Sequence, residues 1–190
     1  MFESLARARA ILPVRRLRRR LKAFGQDRRG TAAIEFAFFA GFLSVATLNV
    51  AEISVYIFQR MQVENATQMA AQAAWKTCDT SHLPATTNCP GLNTALTNSV
   101  QSTPLGARVR FQTGSPSEGY YCVTASNVLQ YMSDLDSKPT DCSAAGSPGA
   151  PPADYIQIRT TFDYTPMFAG LTVGGLFSTT IQRTTIMRLQ

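Results

Sequence analysis

Residues 31–60 read TAAIEFAFFAGFLSVATLNVAEISVYIFQR, and this stretch decides the fold. Before the terminal arginine its only formal charges are Glu35 and Glu52, and it contains no proline. About 20 predominantly apolar residues are enough to cross a lipid bilayer as a helix. The stretch therefore predicts a transmembrane helix.

The helical pattern continues beyond the apolar stretch, because residues 54–77 contain neither glycine nor proline and are rich in alanine, glutamine and methionine. We predict one helix from near Thr31 to near Lys76, about 65–70 Å long at ~1.5 Å per residue. This length exceeds the bilayer, so the second half must leave the membrane. Apolar residues recur there at helical spacing and predict a face that carries a small domain: Val63, Ala66, Met69, Ala70 and Ala73.

A secretory signal peptide is the competing interpretation of the same stretch. Its apolar region would have about 7–15 residues and would end at a small-residue cleavage site. The apolar region here is about twice as long, and the helical pattern continues past Ala51. These features favour a helix that is retained in the mature protein.

The basic charge lies almost entirely before the helix. The chain has a net charge of +6, but residues 1–30 alone carry ten Lys and Arg against Glu3 and Asp27, a net charge of +8. Positive flanks stay cytoplasmic, which puts the residues after Arg60 on the far side of the membrane. We prefer this interpretation of the arm to an amphipathic surface helix or an organellar transit peptide. The body of the chain is near neutral, so we expect no nucleic-acid partner.

Residues 77–190 predict a small antiparallel sheet with loops. Alternating or β-branched patterns predict four strands, at residues 107–112, 120–124, 155–164 and 179–189. Residues 93–100 predict a short helix, and residues 127–131 are either a further strand or a helical turn. The segment 134–153 is rich in proline and glycine and is expected to be a loop.

The fold class that follows is α+β. A long N-terminal transmembrane helix, residues 31–76, continues into a small periplasmic domain, residues 77–190, and a basic cytoplasmic leader, residues 1–30, precedes it. Residues 165–178 are apolar but broken by glycines, so we expect a loop that lies against an apolar surface.

The four cysteines, Cys78, Cys89, Cys122 and Cys142, would all lie in an oxidising compartment, where disulfides persist. Four cysteines allow three connectivities, and the sequence does not choose among them. We expect the local pairing, Cys78 with Cys89 and Cys122 with Cys142. An alternative makes His82, Cys78 and Cys89 metal ligands, but their spacing fits no common zinc pattern.

We therefore expect no metal and no cofactor. The sequence also lacks the serine-hydrolase, zinc-protease and phosphate-loop motifs. We do not expect an enzyme.

The junction between the arm and the helix carries the functional signal. A basic cluster ends at Gly30, the apolar helix follows from Thr31, and Glu35 is its fifth residue. An acid in a membrane segment costs about 2.5–3.5 kcal/mol, so it is by default a functional residue with a partner. Cleavage after Gly30 would make Thr31 a free amine, which Glu35 of a neighbouring subunit would neutralise. As alternatives, the carboxylate snorkels to the headgroups or interacts with the helix dipole.

This junction resembles that of type IV prepilins. With Phe36-Ala37 and the late segment TPMF before a strand, the chain looks more specifically like the TadE-like minor pilins, or pseudopilins, of the tight-adherence (Tad, or Flp) pilus. The resemblance is strong over residues 27–60 and weaker over residues 154–190. It implies a type IV pilin-like fold, peptidase cleavage between Gly30 and Thr31, and an assembly and processing motif at Glu35 and Phe36.

The resemblance also implies partners and a place in the cell. These are other pilins through the N-terminal helix, a prepilin peptidase, the Tad secretion machinery and the bacterial inner membrane. The chain would cross that membrane once, assist pilus assembly and surface adherence, and become extracellular on entering a pilus. The alternative is a permanently anchored periplasmic binding or sensing domain that keeps its leader.

Glu52 lies about where the helix should leave the membrane. We expect interfacial solvation of its carboxylate, in preference to a subunit contact inside a fibre.

Overall fold

The computed structural model describes residues 29–189 of the chain. The predicted basic leader therefore lies outside the described residues, apart from Arg29 and Gly30. The long helix α1 (Arg29–Thr77) matches the helix predicted from near Thr31 to near Lys76. The chain divides into two compact units at Thr47 and Leu48, so the second half of α1 belongs to the same unit as the sheet.

Within the first unit, α1 carries large apolar side chains that are exposed on the protein: Ile34, Phe36, Phe38, Phe39, Phe42 and Leu43. Among residues 29–189, α1 is the one helix that is long and apolar enough to cross a membrane. A helix that is apolar all round is stable in a membrane or in a protein core. The apolar surface of the first unit is therefore compatible with a single membrane-spanning segment.

The second unit contains two further helices and a five-stranded antiparallel sheet. The helices are α2 (Ala85–Asn88) and α3 (Leu92–Gln101). The strands are β1 (Val109–Phe111), β2 (Ser117–Val123), β3 (Leu129–Ser133), β4 (Ala153–Asp163) and β5 (Thr180–Arg188). Short 3-10 turns occupy residues 80–82, 106–108, 143–145 and 173–176.

Strand β4 is the centre of the sheet. One edge pairs with β5 along almost its full length, from Tyr155 opposite Arg188 to Asp163 opposite Thr180. The other edge pairs with β2 at its start and with β1 near its end, and β3 pairs with β2. The predicted strands are thus present, although residues 107–108 form part of a 3-10 turn and β2 begins at Ser117.

The core lies between β4 and the second half of α1. Alternate residues of β4 are buried, among them Ile156, Ile158 and Phe162. They share one core cluster with small residues of α1 and with apolar residues of α3: Val63, Ala66, Ala70, Ala71, Ala74, Leu92, Leu96 and Val100. The many alanines leave room for the helix to pack closely on the sheet.

The buried face of α1 differs from the predicted one: it omits Met69 and Ala73 and includes Thr67, Ala71 and Ala74. Met69 is 41% exposed and Ala73 is only partly buried. Thr67 is fully buried instead, and its hydroxyl lies 2.6 Å from the hydroxyl of Thr160. The hydroxyl pair satisfies both polar groups, so a threonine is tolerated in the centre of this core.

Two disulfides fix the loops of the second unit. The structure has the local pairing expected from the sequence, Cys78 with Cys89 and Cys122 with Cys142. The first joins the residue after α1 to the residue after α2, and the second joins β2 to the proline-rich loop. Bridges of this kind contribute about 2–4 kcal/mol each, mainly by restricting the unfolded chain.

Candidate functional site

The predicted processing site lies on the helical backbone of α1. Gly30 and Thr31 are both exposed, and a side chain added at Gly30 would meet nothing within 4 Å. Glycine in a helix costs about 1 kcal/mol relative to alanine. Within residues 29–189 the fold has no steric need for glycine at this position.

The predicted assembly residues Glu35 and Phe36 are both exposed on α1. The carboxylate of Glu35 sits among large apolar side chains, and Phe36, Phe38 and Phe39 are each at least 65% exposed. A carboxylate in such a surface needs a partner if the surface is transferred to lipid or into a helix bundle. Glu35 is therefore still a candidate for a contact with another molecule, because its carboxylate is exposed on an apolar helix surface.

Glu52 differs from the prediction. We expected its carboxylate to be solvated at the membrane interface, but its side chain is fully buried in the second unit. The segment that buries it is residues 165–178, which we call the clamp loop. The reason for the difference is that this loop supplies hydrogen-bond donors that replace water.

Three groups donate hydrogen bonds to the Glu52 carboxylate, and a fourth polar group lies beside it. The backbone N–H of Met167 donates to Oε1 at 3.0 Å, and that of Phe168 donates to Oε2 at 3.1 Å. The hydroxyl of Tyr164 donates to Oε1, and the hydroxyl of Thr172 lies 3.5 Å from Oε2. Both carboxylate oxygens are therefore satisfied without a counter-ion, as a buried charge requires.

Asn49, one turn earlier on α1, forms a second attachment. Its side-chain oxygen accepts a hydrogen bond of 2.8 Å from the backbone N–H of Val173. Gly174 packs directly on Glu52, because an added Cβ would lie 2.8 Å from the Glu52 Cγ. The glycine at 174 is therefore required by this close approach, and the clamp loop is held on α1 at Asn49 and Glu52.

Three aromatic rings, of Tyr56, Tyr164 and Phe177, pack together where the clamp loop meets α1. The ring of Tyr56 stacks on Phe177 with centroids 4.4 Å apart, and it meets Tyr164 edge-on at 4.9 Å. Burial, together with the hydrogen bond to Glu52, raises the pKa of Tyr164 to about 12. Tyr164 therefore stays protonated at physiological pH and remains a hydrogen-bond donor to Glu52.

The sequence predicted that the clamp loop lies against an apolar surface, and Tyr56 is part of that surface. Sequence reasoning missed the polar contacts to Glu52 and Asn49. The sequence did contain two unexplained features that these contacts account for: the acid Glu52 in an apolar helix, and an uncharged, glycine-containing loop at residues 165–178. Their pairing spans 112 residues, from Glu52 to Tyr164, and no local pattern reports it.

A second feature of this unit is a cleft of about 310 Å³. It is lined by proline, tyrosine and charged side chains, among them Pro84, Tyr120, Lys138, Pro152 and Asp154. Asp154 is buried, and its Oδ1 has no hydrogen-bond partner. Burial and the negative charge of nearby Glu118 raise the pKa of Asp154 to about 7.

The sequence alternative of a metal site at Cys78, His82 and Cys89 is wrong, because both sulfurs form a disulfide. His82 instead places its Nδ1 2.7 Å from the Oδ1 of Asp79 in an exposed 3-10 turn. Within the described part of the chain, no group of three or more His, Cys, Asp or Glu side chains is placed to hold a metal ion.

Comparison with known proteins gives no relative. No family model matches the chain, no curated protein matches it, and no solved structure matches it. A functional assignment therefore depends on the residues and geometry described above.

Proposed function

We propose that the chain is a minor pilin, or pseudopilin, of a Tad (Flp) pilus, inserted in the bacterial inner membrane and processed after Gly30. It assists pilus assembly and surface adherence. The observation that carries the proposal is the exposed surface of α1, where the carboxylate of Glu35 lies among phenylalanines. It follows by five residues a glycine at which an added Cβ would meet nothing within 4 Å among residues 29–189.

Processing is hydrolysis of the Gly30–Thr31 peptide bond by a prepilin peptidase. Water adds to the Gly30 carbonyl carbon, the C–N bond breaks, and the products are a Gly30 carboxylate and a Thr31 amine. The absence of a side chain at Gly30 lets the peptidase approach the bond closely. The reaction also removes most of the basic charge, since residues 1–30 carry a net charge of +8.

Assembly depends on the new amine and on the apolar surface. The ammonium group of Thr31 in one subunit pairs with the carboxylate of Glu35 in its neighbour. Neither charge is then left unpaired in an apolar environment. The phenylalanine-rich surface then packs against like helices, outside the lipid. The ion pair with Glu35 forms only after cleavage, because the nitrogen of Thr31 is an uncharged amide in the uncleaved chain.

The matched glycines of α1 test the processing step. Gly30 and Gly41 are both helical, and an added Cβ meets nothing within 4 Å at either position. Gly30→Ala should abolish cleavage by a co-expressed prepilin peptidase, as seen by intact mass, whereas Gly41→Ala should be cleaved as efficiently as the wild type. Equal cleavage of both variants would contradict the proposal.

One observation favours the second candidate, a permanently anchored periplasmic binding or sensing domain. The cleft beside Asp154 combines a buried carboxyl group with an unpartnered oxygen and the ammonium group of Lys138. This function predicts a full-length chain that keeps its leader in the native membrane. The same mass measurement therefore separates the two candidates.

A further inference from the structure

We infer that the clamp loop, residues 165–178, is a second membrane-contacting element, which inserts its apolar side chains into the outer leaflet of the membrane that α1 crosses. The occupant of this surface is lipid. The inference requires that α1 spans a membrane, but it does not require cleavage after Gly30 or entry into a pilus.

The first support is the composition and exposure of the loop. Residues 165–178 contain no charged side chain. Met167, Leu171 and Leu176 are 62%, 70% and 84% exposed. Single exposed apolar residues are ordinary on a protein surface, but a cluster of large ones in an uncharged segment marks an interaction surface.

The second support is where the loop is attached. Asn49 and Glu52, which hold it, belong to the apolar stretch of α1, and about 20 apolar residues counted from Phe36 reach to about residue 55. The adjoining turns of the helix also expose apolar side chains in the second unit: Val50, Ile53, Ile57 and Phe58. The loop is therefore attached to α1 at the residues where the helix is expected to leave the hydrocarbon.

The third support is that several backbone N–H groups of the clamp loop have hydrogen-bond partners within the protein. Irregular backbone enters a membrane only where its polar groups find partners in the protein. The N–H groups of Met167 and Phe168 donate to Glu52, and that of Val173 donates to Asn49. The N–H of Leu171 donates to the carbonyl of Phe168, and that of Gly174 to the hydroxyl of Thr172.

This arrangement also explains why an acid occupies position 52. In water the loop's N–H groups would be solvated and would need no buried carboxylate. In an interface poor in water, a carboxylate that accepts several hydrogen bonds is a strong alternative partner. Glu52 thus allows an irregular, uncharged segment to lie in the lipid interface.

A single-tryptophan quenching experiment tests the inference on the full, uncleaved chain. Trp75 is the one tryptophan and is exposed, so Trp75→Phe provides a background without fluorescence from tryptophan. In that background Leu171→Trp reports on the clamp loop, and Val128→Trp reports on the turn between β2 and β3, where Val128 is also exposed. Both variants are reconstituted in phosphatidylcholine vesicles, with or without bromine on the upper part of the acyl chains.

We expect brominated lipid to quench the tryptophan at 171 several-fold more strongly than the tryptophan at 128. Equal, weak quenching at both positions would overturn the inference. Blue-shifted emission at 171 without quenching by bromine would also overturn it, and would indicate a second copy of the chain as the occupant. If Leu171→Trp does not fold, Leu176→Trp is judged by the same outcomes.

Discussion

The two halves of α1 each contain one glutamate of the apolar stretch, and the two glutamates have opposite surroundings. In the first half, Glu35 is exposed among large apolar side chains. In the second half, Glu52 is fully buried and accepts hydrogen bonds from Tyr164, Met167 and Phe168. Hydropathy alone makes both residues look like expensive membrane acids. The comparison teaches that an acid in an apolar helix has a partner inside the chain where a loop buries it, as at Glu52. An acid that is exposed among the described residues, as at Glu35, needs a partner from another molecule.

The largest expected effect concerns the exposed glutamate, Glu35. Glu35→Ala should leave membrane insertion and the unfolding of the second unit unchanged, because Glu35 lies outside that unit. It should abolish the recovery of this subunit in pili, since the Thr31 amine of the neighbour then has no counter-charge. The measurement is the amount of the chain in sheared pili compared with the amount in the membrane.

Ser44→Ala is the control for this change, because Ser44 is an exposed polar residue of the same helix whose hydroxyl donates a hydrogen bond to the backbone carbonyl of Ala40. Normal incorporation of the Glu35→Ala variant into pili would contradict the proposed pairing of Glu35 with the Thr31 amine of a neighbouring subunit.

The next largest effect concerns the buried glutamate, Glu52. Glu52→Ala leaves the Tyr164 hydroxyl and the N–H groups of Met167 and Phe168 without their acceptor. Each buried donor left unpaired costs about 1–3 kcal/mol, so we expect the free energy of unfolding to fall by about 3 kcal/mol or more. Urea unfolding of the full chain in detergent micelles, followed by near-UV circular dichroism, measures this loss.

Glu64→Ala is the matched control, because Glu64 is a partly exposed acid of the same helix that pairs with Arg183 at 2.8 Å. Such pairs contribute about 0–1 kcal/mol. If Glu52→Ala were no more destabilising than Glu64→Ala, Glu52 would be solvated and the clamp would not exist.

The smallest effect concerns Asp154, a buried acid with incomplete pairing. Its pKa is raised from 3.8 to about 7, by burial first and by the charge of Glu118 second, while Lys138 opposes the shift. The native state therefore holds this proton longer than the unfolded chain does. The contribution to stability is present below about pH 4 and is lost as the pH rises to about 7.

Asp154→Asn should remove this pH dependence and should stabilise the protein above pH 7 by on the order of 1–3 kcal/mol. Unfolding free energies measured across the pH range test it. Asp163→Asn is the control, because Asp163 is an exposed aspartate at the end of the same strand. An unchanged pH profile for Asp154→Asn would mean that its carboxyl group is as well solvated as that of Asp163.

Much of the fold follows from local patterns. The apolar stretch and the absence of proline predict α1, and the alternation in residues 155–164 predicts β4, whose bounds are Ala153–Asp163. The prediction of the buried stripe of α1 was less accurate, because it included Met69 and Ala73 and left out Thr67, Ala71 and Ala74. The true stripe keeps strict helical spacing through Thr67, whose hydroxyl is satisfied by Thr160.

Local patterns could not predict the hydrogen bonds that attach the clamp loop to α1. Its contacts join Asn49 and Glu52 to residues more than 110 positions away, and they use backbone N–H groups that every sequence has. Only the fold reveals which N–H groups are left for a side chain to bind. Gly174 was visible as a loop breaker, but its contact with Glu52 was not.

The most direct test of the proposed function is the N-terminus of the mature protein in its native host. Intact mass and terminal sequencing should be carried out with and without the prepilin peptidase. We predict a species that begins at Thr31 in the presence of the peptidase and the full-length chain in its absence. A chain that keeps its basic leader in both cases would contradict the account, and so would a chain that begins near Ala51.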